Sequence, residues 1–325
     1  MTAPRPIVWT DVALLPDVRQ ELELHAEVDA RREDTLEGIE RADAIIAGSR
    51  FPGTAATFRL AVRTRVVARV GMGFDRIDLA AATADGICTI NTPDAPTEST
   101  AEFAIALMLA TARRIVPAAA ALAAGQWEQG PPLLGRDLSG RTLGLVGCGR
   151  IGRRVAEIAH ALGLTVQAFD PFAASLPPGI GRAPSLETLL ATADIVSVHV
   201  PLSPDTHRLL GAAAFAAIKP GAVLINTARG PIVDESALLA ALDDGRISAA
   251  GLDVWDPEPP KRENPLLRHP RVVATPHMAA FTHEGKRRSH RAAVAGVLAV
   301  LQGERPAGLL NPSVWPSRRG SESVP

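Results

Sequence analysis

Short apolar runs alternate with longer helix-like stretches along most of this sequence. The first series of candidate strands covers 7–10, 44–47, 65–70 and 88–91. The second series covers 142–146, 165–169, 195–200, 222–226, 249–253 and 272–274. Strands that alternate with helices at this spacing indicate βαβ units, and runs that are apolar at nearly every position suit a parallel sheet covered on both faces. The sequence therefore predicts two α/β domains, each built on a doubly wound parallel sheet.

Chain length and charge narrow the class of protein further. The chain has 325 residues, enough for about two domains of roughly 150 residues each. Its formal net charge of -1 gives no reason to expect binding to nucleic acid or to an anionic membrane. No apolar stretch approaches the roughly 20 residues of a membrane span. Cys88 and Cys148 are too few for a disulfide framework or a four-ligand zinc site, so we predict a cytoplasmic protein with no metal centre.

The segment 97–124 has a helical pattern and is apolar on nearly every face between Ala101 and Ala110. Such a helix must be buried all round, either inside its own domain or against a second subunit. Both interpretations stay open at this point, and the second predicts a homodimer. The Ser-, Arg- and Pro-rich segment at 313–325 is expected to be frayed.

A glycine-rich loop follows the first strand of the second series and opens a helix. Gly147 is suited to a tight turn, Gly149 to close approach of a pyrophosphate, and Gly152 to packing of the helix on the strand. The start of the helix offers unpaired N–H groups to an anion. Strand, glycines and helix occur in the order that a dinucleotide-binding site requires.

Asp170 ends the next strand, at the position where an acidic residue accepts both ribose hydroxyls of NAD. Pro171 and Phe172 follow it, so we expect no basic residue placed to receive the 2′-phosphate of NADP, and NAD is favoured. A methyltransferase could use a similar loop and acid, and the residues that follow later strands argue against that alternative.

Three polar residues stand just after later strands, where ligands bind in open α/β sheets. Arg229 has a planar fork that can bind a carboxylate bidentately. His277 is the natural acid/base near neutral pH, able to give a proton to a reacting oxygen or to take one from it. Glu258 can hydrogen-bond the other imidazole nitrogen, orient the ring and favour its charged form.

Several motifs together resemble the D-isomer-specific 2-hydroxyacid dehydrogenase family. In the second series they are GLVGCGRIG at 144–152, HVPL at 199–202, NTARG at 226–230, DPEPP at 256–260 and TPH at 275–277. In the first series they are VGMGFD at 70–75, Ile77 with Asp78, and NTP at 91–93. Their order and number make the resemblance specific from about residue 7 to residue 311.

The resemblance implies a Rossmann NAD domain at 99–285, inserted into a flavodoxin-like substrate domain formed by 1–98 and 286–318, with a flexible tail at 319–325. It implies an active site in the cleft, hinges near Ser99 and Gly285, and a two-fold contact through 101–112.

It also implies residue roles. The catalytic residues would be Arg229, Glu258 and His277. The cofactor-binding residues would be Gly147, Gly149, Arg150, Ile151, Gly152, Asp170, Val200, Pro201, Thr227, Ala228, Asp253, His277, Ala279 and Ala280. The substrate-binding residues would be Val70, Gly71, Met72, Gly73 and Arg229, with the backbone amides of 70–73 holding the carboxylate.

The expected function is NAD-dependent interconversion of a D-2-hydroxy acid and its 2-oxo acid, with glyoxylate or hydroxypyruvate as the plainest substrates. Glu258 argues against a formate dehydrogenase, because those members carry glutamine with their histidine. 3-Phosphoglycerate dehydrogenases usually have an arginine where this chain has Gly48 or Ser49, with Arg50 displaced. The loop at 50–52, Phe281 and the region of Trp315 are candidates for the substrate side-chain pocket. The alternative of another class is an NAD(H)-sensing corepressor on the same fold.

Overall fold

In a computed structural model of the chain, the structure describes residues 4–31, 35–127 and 133–321. The strands in chain order are β1 Ile7–Thr10, β2 Glu27–Ala30, β3 Ala44–Ala47, β4 Val66–Arg69, β5 Cys88–Asn91, β6 Thr142–Val146, β7 Thr165–Phe169, β8 Ile180–Arg182, β9 Ile195–Val198, β10 Ala222–Asn226, β11 Ile247–Leu252 and β12 Val272–Ala274. The helices are α1 Pro16–Glu23, α2 Ala55–Leu60, α3 Leu79–Ala84, α4 Thr97–Ala112, α5 Ile115–Ala123, α6 Arg150–Ala161, α7 Leu186–Thr192, α8 Ala212–Ala217, α9 Glu235–Asp243 and α10 His283–Leu301.

The chain divides into two compact units. Unit 1 comprises Met1–Pro96 and Phe281–Pro325, and unit 2 comprises Thr97–Ala280. The second passage between the units therefore precedes Gly285, which lies in the first turn of α10. There the Thr282 side chain caps the helix by accepting a hydrogen bond from the Gly285 amide. The hinge expected near Gly285 stays a prediction, and the passage between Ala280 and Phe281 lies a few residues before it.

Unit 1 is a five-stranded parallel sheet in the order β2-β1-β3-β4-β5. This is the flavodoxin-like order, as the sequence predicted. The central strands β3 and β4 are almost wholly buried because their side chains face helices on both sides of the sheet. Helix α10 packs against β3, β4 and β5, and its small and β-branched residues complete the core on that face.

Unit 2 is a seven-stranded parallel sheet in the order β12-β11-β10-β9-β6-β7-β8. Strand β6 pairs with β7 on one side and with β9 on the other. The strand order reverses at this point, and ligands of doubly wound folds bind at the carboxyl ends of such strands. The glycine loop follows β6 directly, so the fold places it at that position.

Two strands were not predicted from sequence, β2 and β8, and both lie at the edge of a sheet. Residues of β2 alternate between charged and apolar types, and β8 has only three residues, two of them exposed. An edge strand does not need to be apolar on both faces, so the criterion of continuous apolar runs does not detect it.

The expected helix at 97–124 is two helices, α4 and α5, bent by 61°. Nine residues of α4 are buried, and Gly251 in β11 lets this helix pack directly on the sheet, since a Cβ there would lie 2.7 Å from Leu107 Cγ. Helix α4 is therefore largely core of unit 2, whereas Glu102 and Ala106 are exposed. Within the described ranges no single helix has the length and apolarity to cross a membrane; α4 and α5 meet that test only as this bent pair.

The segment expected to be frayed is packed as far as Ser321. Val314 is fully buried, and the Arg318 guanidinium lies 3.8 Å from the Trp315 ring. Arg319 donates hydrogen bonds to the carbonyl oxygens of Ala61 and Thr64. These contacts correct the expectation for 313–321, including the first part of the tail predicted at 319–325; residues 322–325 lie outside the described ranges.

Candidate active site

The glycine loop after β6 has the geometry that each glycine was predicted to provide. Gly147 has φ +92°, and a Cβ there would lie 2.8 Å from Val200 Cγ1. A Cβ on Gly152 would lie 2.6 Å from the Gly147 carbonyl oxygen, so only glycine lets α6 start this close to the strand. A Cβ on Gly149, the N-cap of α6, would meet no atom within 4 Å, which leaves open space beside the helix start. Arg150 and Ile151 form the first turn of α6.

Asp170 ties this loop to the segment that follows β7. Its Oδ2 accepts a hydrogen bond of 2.8 Å from the Cys148 amide, and its Oδ1 accepts from the amides of Phe172 and Ala173. A basic residue that the sequence analysis did not identify lies beside this segment. Arg182, from the edge strand β8, donates to the carbonyl oxygens of Asp170 at 3.3 Å and Ala173 at 2.8 Å.

Hydrogen bonds within the loop after β10 fix the backbone around Arg229. The Asn226 side chain accepts from the Ala228 amide and donates to the Arg229 carbonyl oxygen, which closes the turn on itself. A Cβ on Gly230 would lie 2.0 Å from the Trp255 carbonyl oxygen, so the loops after β10 and β11 touch through their backbones. This contact holds the half-buried Arg229 beside the segment that carries Glu258.

Glu258 and His277 form a direct pair. Glu258 Oε2 lies 2.8 Å from His277 Nδ1, and Glu258 Oε1 accepts from the Trp255 amide at 3.2 Å. Burial alone would raise the pKa of Glu258, but the hydrogen bond and charge of His277, with smaller effects of the Trp255 amide and Arg229, hold the pKa below its usual value. Glu258 contacts Nδ1 and not Nε2 of the His277 ring, and both side chains are partly exposed.

Asp253 positions the loop that carries His277. Asp253 is fully buried; its Oδ1 accepts from Thr275 Oγ1 at 2.6 Å and the Met278 amide at 2.9 Å, and its Oδ2 accepts from the Ala279 amide at 2.8 Å. His277 itself has φ +51°, a conformation that costs a non-glycine residue roughly 1–2 kcal/mol. The Asp253 carboxylate accepts hydrogen bonds from residues on both sides of His277. In this structure Asp253 therefore holds the His277 loop in place.

The remaining predicted cofactor residues of unit 2 also lie at the carboxyl edge of its sheet. Thr227 follows β10, and its buried Oγ1 has no hydrogen-bond partner in the described part of the chain. Val200 and Pro201 follow β9, Ala228 lies beside Thr227, and Ala279 and Ala280 end the His277 loop. An orphaned hydroxyl and the open space at Gly149 fit a bound dinucleotide at this edge.

In unit 1, the loop after β4 is held by the end of β5. Gly71 has φ +113°, its amide donates to Thr92 Oγ1 at 2.8 Å, and the Asn91 side chain donates to the Met72 carbonyl oxygen at 2.7 Å. The Val70 amide donates to the Ala47 carbonyl oxygen. Two of the four amides expected to hold a carboxylate are therefore used within the protein, and those of Met72 and Gly73 are the remaining candidates.

The residues suggested for a side-chain pocket have different surroundings within unit 1. Phe51 is buried in the core of unit 1 with its ring centroid 5.8 Å from that of Trp9. Trp315 packs against Arg318, and Phe281 is exposed with Lys286 Nζ 3.6 Å from its ring centroid.

The sequence analysis did not assign a role to Gly230 or Arg182, and it assigned Asp253 to cofactor binding. The one available signal was the position of Gly230 directly after the motif arginine.

Comparison with known proteins gives a consistent result. A family model described as D-isomer specific 2-hydroxyacid dehydrogenase, NAD binding domain, matches residues 105–279. The glyoxylate reductase of Korarchaeum cryptofilum is 38% identical over 308 residues, which are 90% of this chain and 92% of that protein. The D-3-phosphoglycerate dehydrogenase of Archaeoglobus fulgidus is 41% identical over 267 residues, 82% of this chain and 50% of that protein.

Solved structures agree with these sequence matches. The crystal structure of an NADPH-dependent glyoxylate/hydroxypyruvate reductase from Sinorhizobium meliloti, in complex with NADP and malonate, has a TM-score of 0.86 and 31% identity. It covers 98% of this chain and 99% of that one. The chain spans about half the length of the D-3-phosphoglycerate dehydrogenases it matches.

Proposed function

Because the chain belongs to the D-isomer specific 2-hydroxyacid dehydrogenase family, we propose that it is an NAD-dependent oxidoreductase that interconverts a D-2-hydroxy acid and its 2-oxo acid. The 2.8 Å contact between His277 Nδ1 and Glu258 Oε2 carries the proposal. A carboxylate on one imidazole nitrogen fixes the ring and leaves the other nitrogen to move a proton. The bound nicotinamide supplies or accepts the hydride.

Proton transfer and substrate binding are assigned to side chains and backbone amides of this chain. His277 Nε2 donates the proton to the ketone oxygen during reduction and takes it back during oxidation. Arg229 binds the substrate through its planar guanidinium, which polarises the 2-oxo group. In unit 1, the amides of Met72 and Gly73 are the proposed donors to the substrate carboxylate.

For the cofactor we propose NAD over NADP. The Asp170 carboxylate stands beside the glycine loop, where it can accept the ribose hydroxyls and would repel a 2′-phosphate. Arg182 points its guanidinium at two carbonyl oxygens and shapes the loop. The test compares KM for NADH and NADPH in the parent, Asp170→Ala and Arg182→Gln proteins. We expect NADH to be preferred and Asp170→Ala to narrow the gap. Equal use of both cofactors by the parent would contradict the assignment.

For the substrate we propose glyoxylate or hydroxypyruvate. The similar protein of Korarchaeum cryptofilum, which aligns over 92% of its length, is named a glyoxylate reductase, whereas the phosphoglycerate dehydrogenases align over about half of theirs. The experiment is NADH oxidation across a panel of 2-oxo acids that includes 3-phosphohydroxypyruvate. Turnover of glyoxylate or hydroxypyruvate supports the proposal. NADH binding without turnover of any acid would favour the NAD(H)-sensing alternative.

We also propose the homodimer expected from 101–112, formed through unit 2 and extended to α5. None of the nine residues of α5 is buried, although its sequence is almost wholly apolar, and Ile115 and Leu122 are 52% and 58% exposed. An exposed apolar face of this kind is typical of a protein interface. Light scattering across a dilution series should give the mass of two chains for the parent. Ile115→Glu combined with Leu122→Glu should give one chain, and a single-chain mass for the parent would contradict the dimer.

A further inference from the structure

Four arginines line a cavity of about 570 Å³ in unit 1. Arg63 and Arg65 come from the segment before β4, and Arg318 and Arg319 come from the packed C-terminal segment. Asp43 and Ser317 are among the other lining residues. The cavity is open to solvent and its lining is mainly polar. Neither the glycine loop nor the Met72 loop contributes to it.

Among the described residues, Asp43 is the one carboxylate that lines this pocket with the four arginines. Arg63 pairs with Asp43 at 2.9 Å. In the described ranges Arg65, Arg318 and Arg319 form no ion pair, and their printed hydrogen bonds all go to backbone carbonyl oxygens. Four guanidinium groups therefore face one carboxylate. Carbonyl oxygens position a guanidinium but do not neutralise it, and several cations held together repel one another unless an anion joins them.

The two halves of the arginine cluster lie close together in space. A Cβ on Gly320 would lie 2.7 Å from Arg65 Nε, and the φ of +77° at this glycine permits that approach. Burial raises the pKa of Cys88 to about 11, while Arg318 and Arg65 both act on the same thiol in the opposite direction. The charges of Arg65 and Arg318 therefore lie close together, although the two residues are more than 250 positions apart in the sequence.

A structural role accounts for part of each arginine but not for the cluster. Arg65 caps the carboxyl end of α10 through the carbonyl oxygens of Val300 and Leu301. Arg319 ties the C-terminal segment to Ala61 and Thr64. Nε of Arg65 and Nε of Arg318 nevertheless have no hydrogen-bond partner among the residues described. Neutral side chains could make the same carbonyl contacts without bringing four cations together.

We propose that this cavity binds a small molecule through a multiply charged phosphate group. Guanidinium forks match phosphate oxygens in pairs, and charge-assisted hydrogen bonds of this kind are the strong ones. Inorganic polyphosphate and nucleoside polyphosphates share that chemistry. The single carboxylate, Asp43, is already paired with Arg63 and opposes an anion least in that state.

Within unit 1 the pocket is separate from the loop that we propose holds the substrate. Arg65 immediately precedes β4, whereas the Val70 loop immediately follows it, so the cavity lies at the opposite edge of the unit 1 sheet. A four-residue strand puts roughly 13 Å between these ends. The lining residues belong to unit 1 and the glycine loop belongs to unit 2, so the test can be run on the protein loaded with the dinucleotide.

The experiment is calorimetric titration of the NADH-saturated protein with inorganic tripolyphosphate and, separately, with ATP. NADH occupies the glycine loop, so phosphate binding there does not contribute. We expect one saturable site per chain for tripolyphosphate. Tighter binding of ATP would assign the site to a nucleotide, and equal binding would assign it to the phosphates alone.

Matched variants decide whether the arginines form the site. Arg318→Gln should weaken tripolyphosphate binding at least tenfold, while Arg59→Gln, an equal loss of charge at an exposed position of α2, should leave it unchanged. Asp43→Asn should tighten binding about threefold, a gain that misfolding cannot produce. The proposal is overturned if the loaded protein shows no saturable binding, or if Arg318→Gln and Asp43→Asn both behave as Arg59→Gln does.

Discussion

Gly230 and Trp255 touch through their backbones: a Cβ on Gly230 would lie 2.0 Å from the Trp255 carbonyl oxygen. Gly230 directly follows Arg229, and the Trp255 amide donates to Glu258. This contact joins the loop of Arg229, the proposed carboxylate-binding residue, to the loop of the glutamate that holds His277. The relative placement of the three proposed catalytic side chains thus depends on a residue that lacks a side chain.

Gly230→Ala should therefore separate the two loops. An added methyl against a rigid backbone typically costs about 1–3 kcal/mol of stability. We expect kcat/KM to fall at least tenfold with little change in NADH affinity, measured by steady-state kinetics and fluorescence titration. Gly181→Ala is the matched control, since its Cβ would make only ordinary contacts of 3.7 Å. Normal turnover in the Gly230 variant would show that the contact does not position the site.

Asp253→Asn tests the positioning of the His277 loop. The carboxylate accepts hydrogen bonds on both oxygens, and an amide NH₂ in place of one oxygen would face an N–H donor. We expect a loss of about 1–3 kcal/mol in the free energy of unfolding and a larger drop in kcat than change in KM. Asp205→Asn, at an exposed position, is the control. If Asp253 instead contacts only the cofactor, KM for NADH will rise while stability stays constant.

His277→Ala removes the proposed proton donor. A positioned acid/base contributes roughly a hundredfold or more, so kcat should fall by at least that factor while NADH still binds. Glu258→Gln keeps a hydrogen-bond acceptor beside the ring but removes the charge, and its kcat should lie between those of the parent and His277→Ala. Retention of parental kcat in His277→Ala would rule out this residue as the acid/base.

His199 makes stability depend on pH. It lies under the glycine loop with Nε2 2.8 Å from Ser197 Oγ, and burial lowers its pKa from 6.5 to about 4. Between these values the unfolded chain binds a proton that the folded chain does not. The free energy of unfolding should therefore rise with pH across this window, by at most about 1.4 kcal/mol per unit from this group.

Chemical denaturation at several pH values measures that slope. His199→Asn should flatten it between pH 4 and 6.5, whereas His25→Asn, at an exposed position, should leave it unchanged. An identical slope in the parent and His199→Asn proteins would mean that the buried ring does not control stability in this range.

The sequence predicted those parts of the fold that a short stretch of residues determines by itself. The buried strands carry continuous apolar runs, and the glycine loop has a fixed order of strand, glycines and helix, so both could be located in advance. Glu258 and His277 could be paired because each follows a strand of the same predicted sheet. The edge strands β2 and β8 could not, since exposure removes the apolar signal.

Contacts between distant segments were the other gap. Arg182 contacts Asp170 from an edge strand that the sequence did not predict. The Asp253 carboxylate accepts hydrogen bonds from a loop that lies more than 20 residues later in the chain. The cluster of Arg65 with Arg318 forms only where the segment before β4 packs against the C-terminal segment. Of the two interpretations left open for the apolar sequence of α4, burial inside its own unit accounts for most of the helix.

Transfer of deuterium from stereospecifically labelled NADD to hydroxypyruvate tests the central claim most directly. Hydride transfer with proton donation by His277 predicts glycerate of D configuration with deuterium at C2, identified by chiral chromatography and proton NMR. The His277→Ala protein should form it at least about a hundredfold more slowly. Product of L configuration, or NADD consumption without label at C2, would contradict the proposed function.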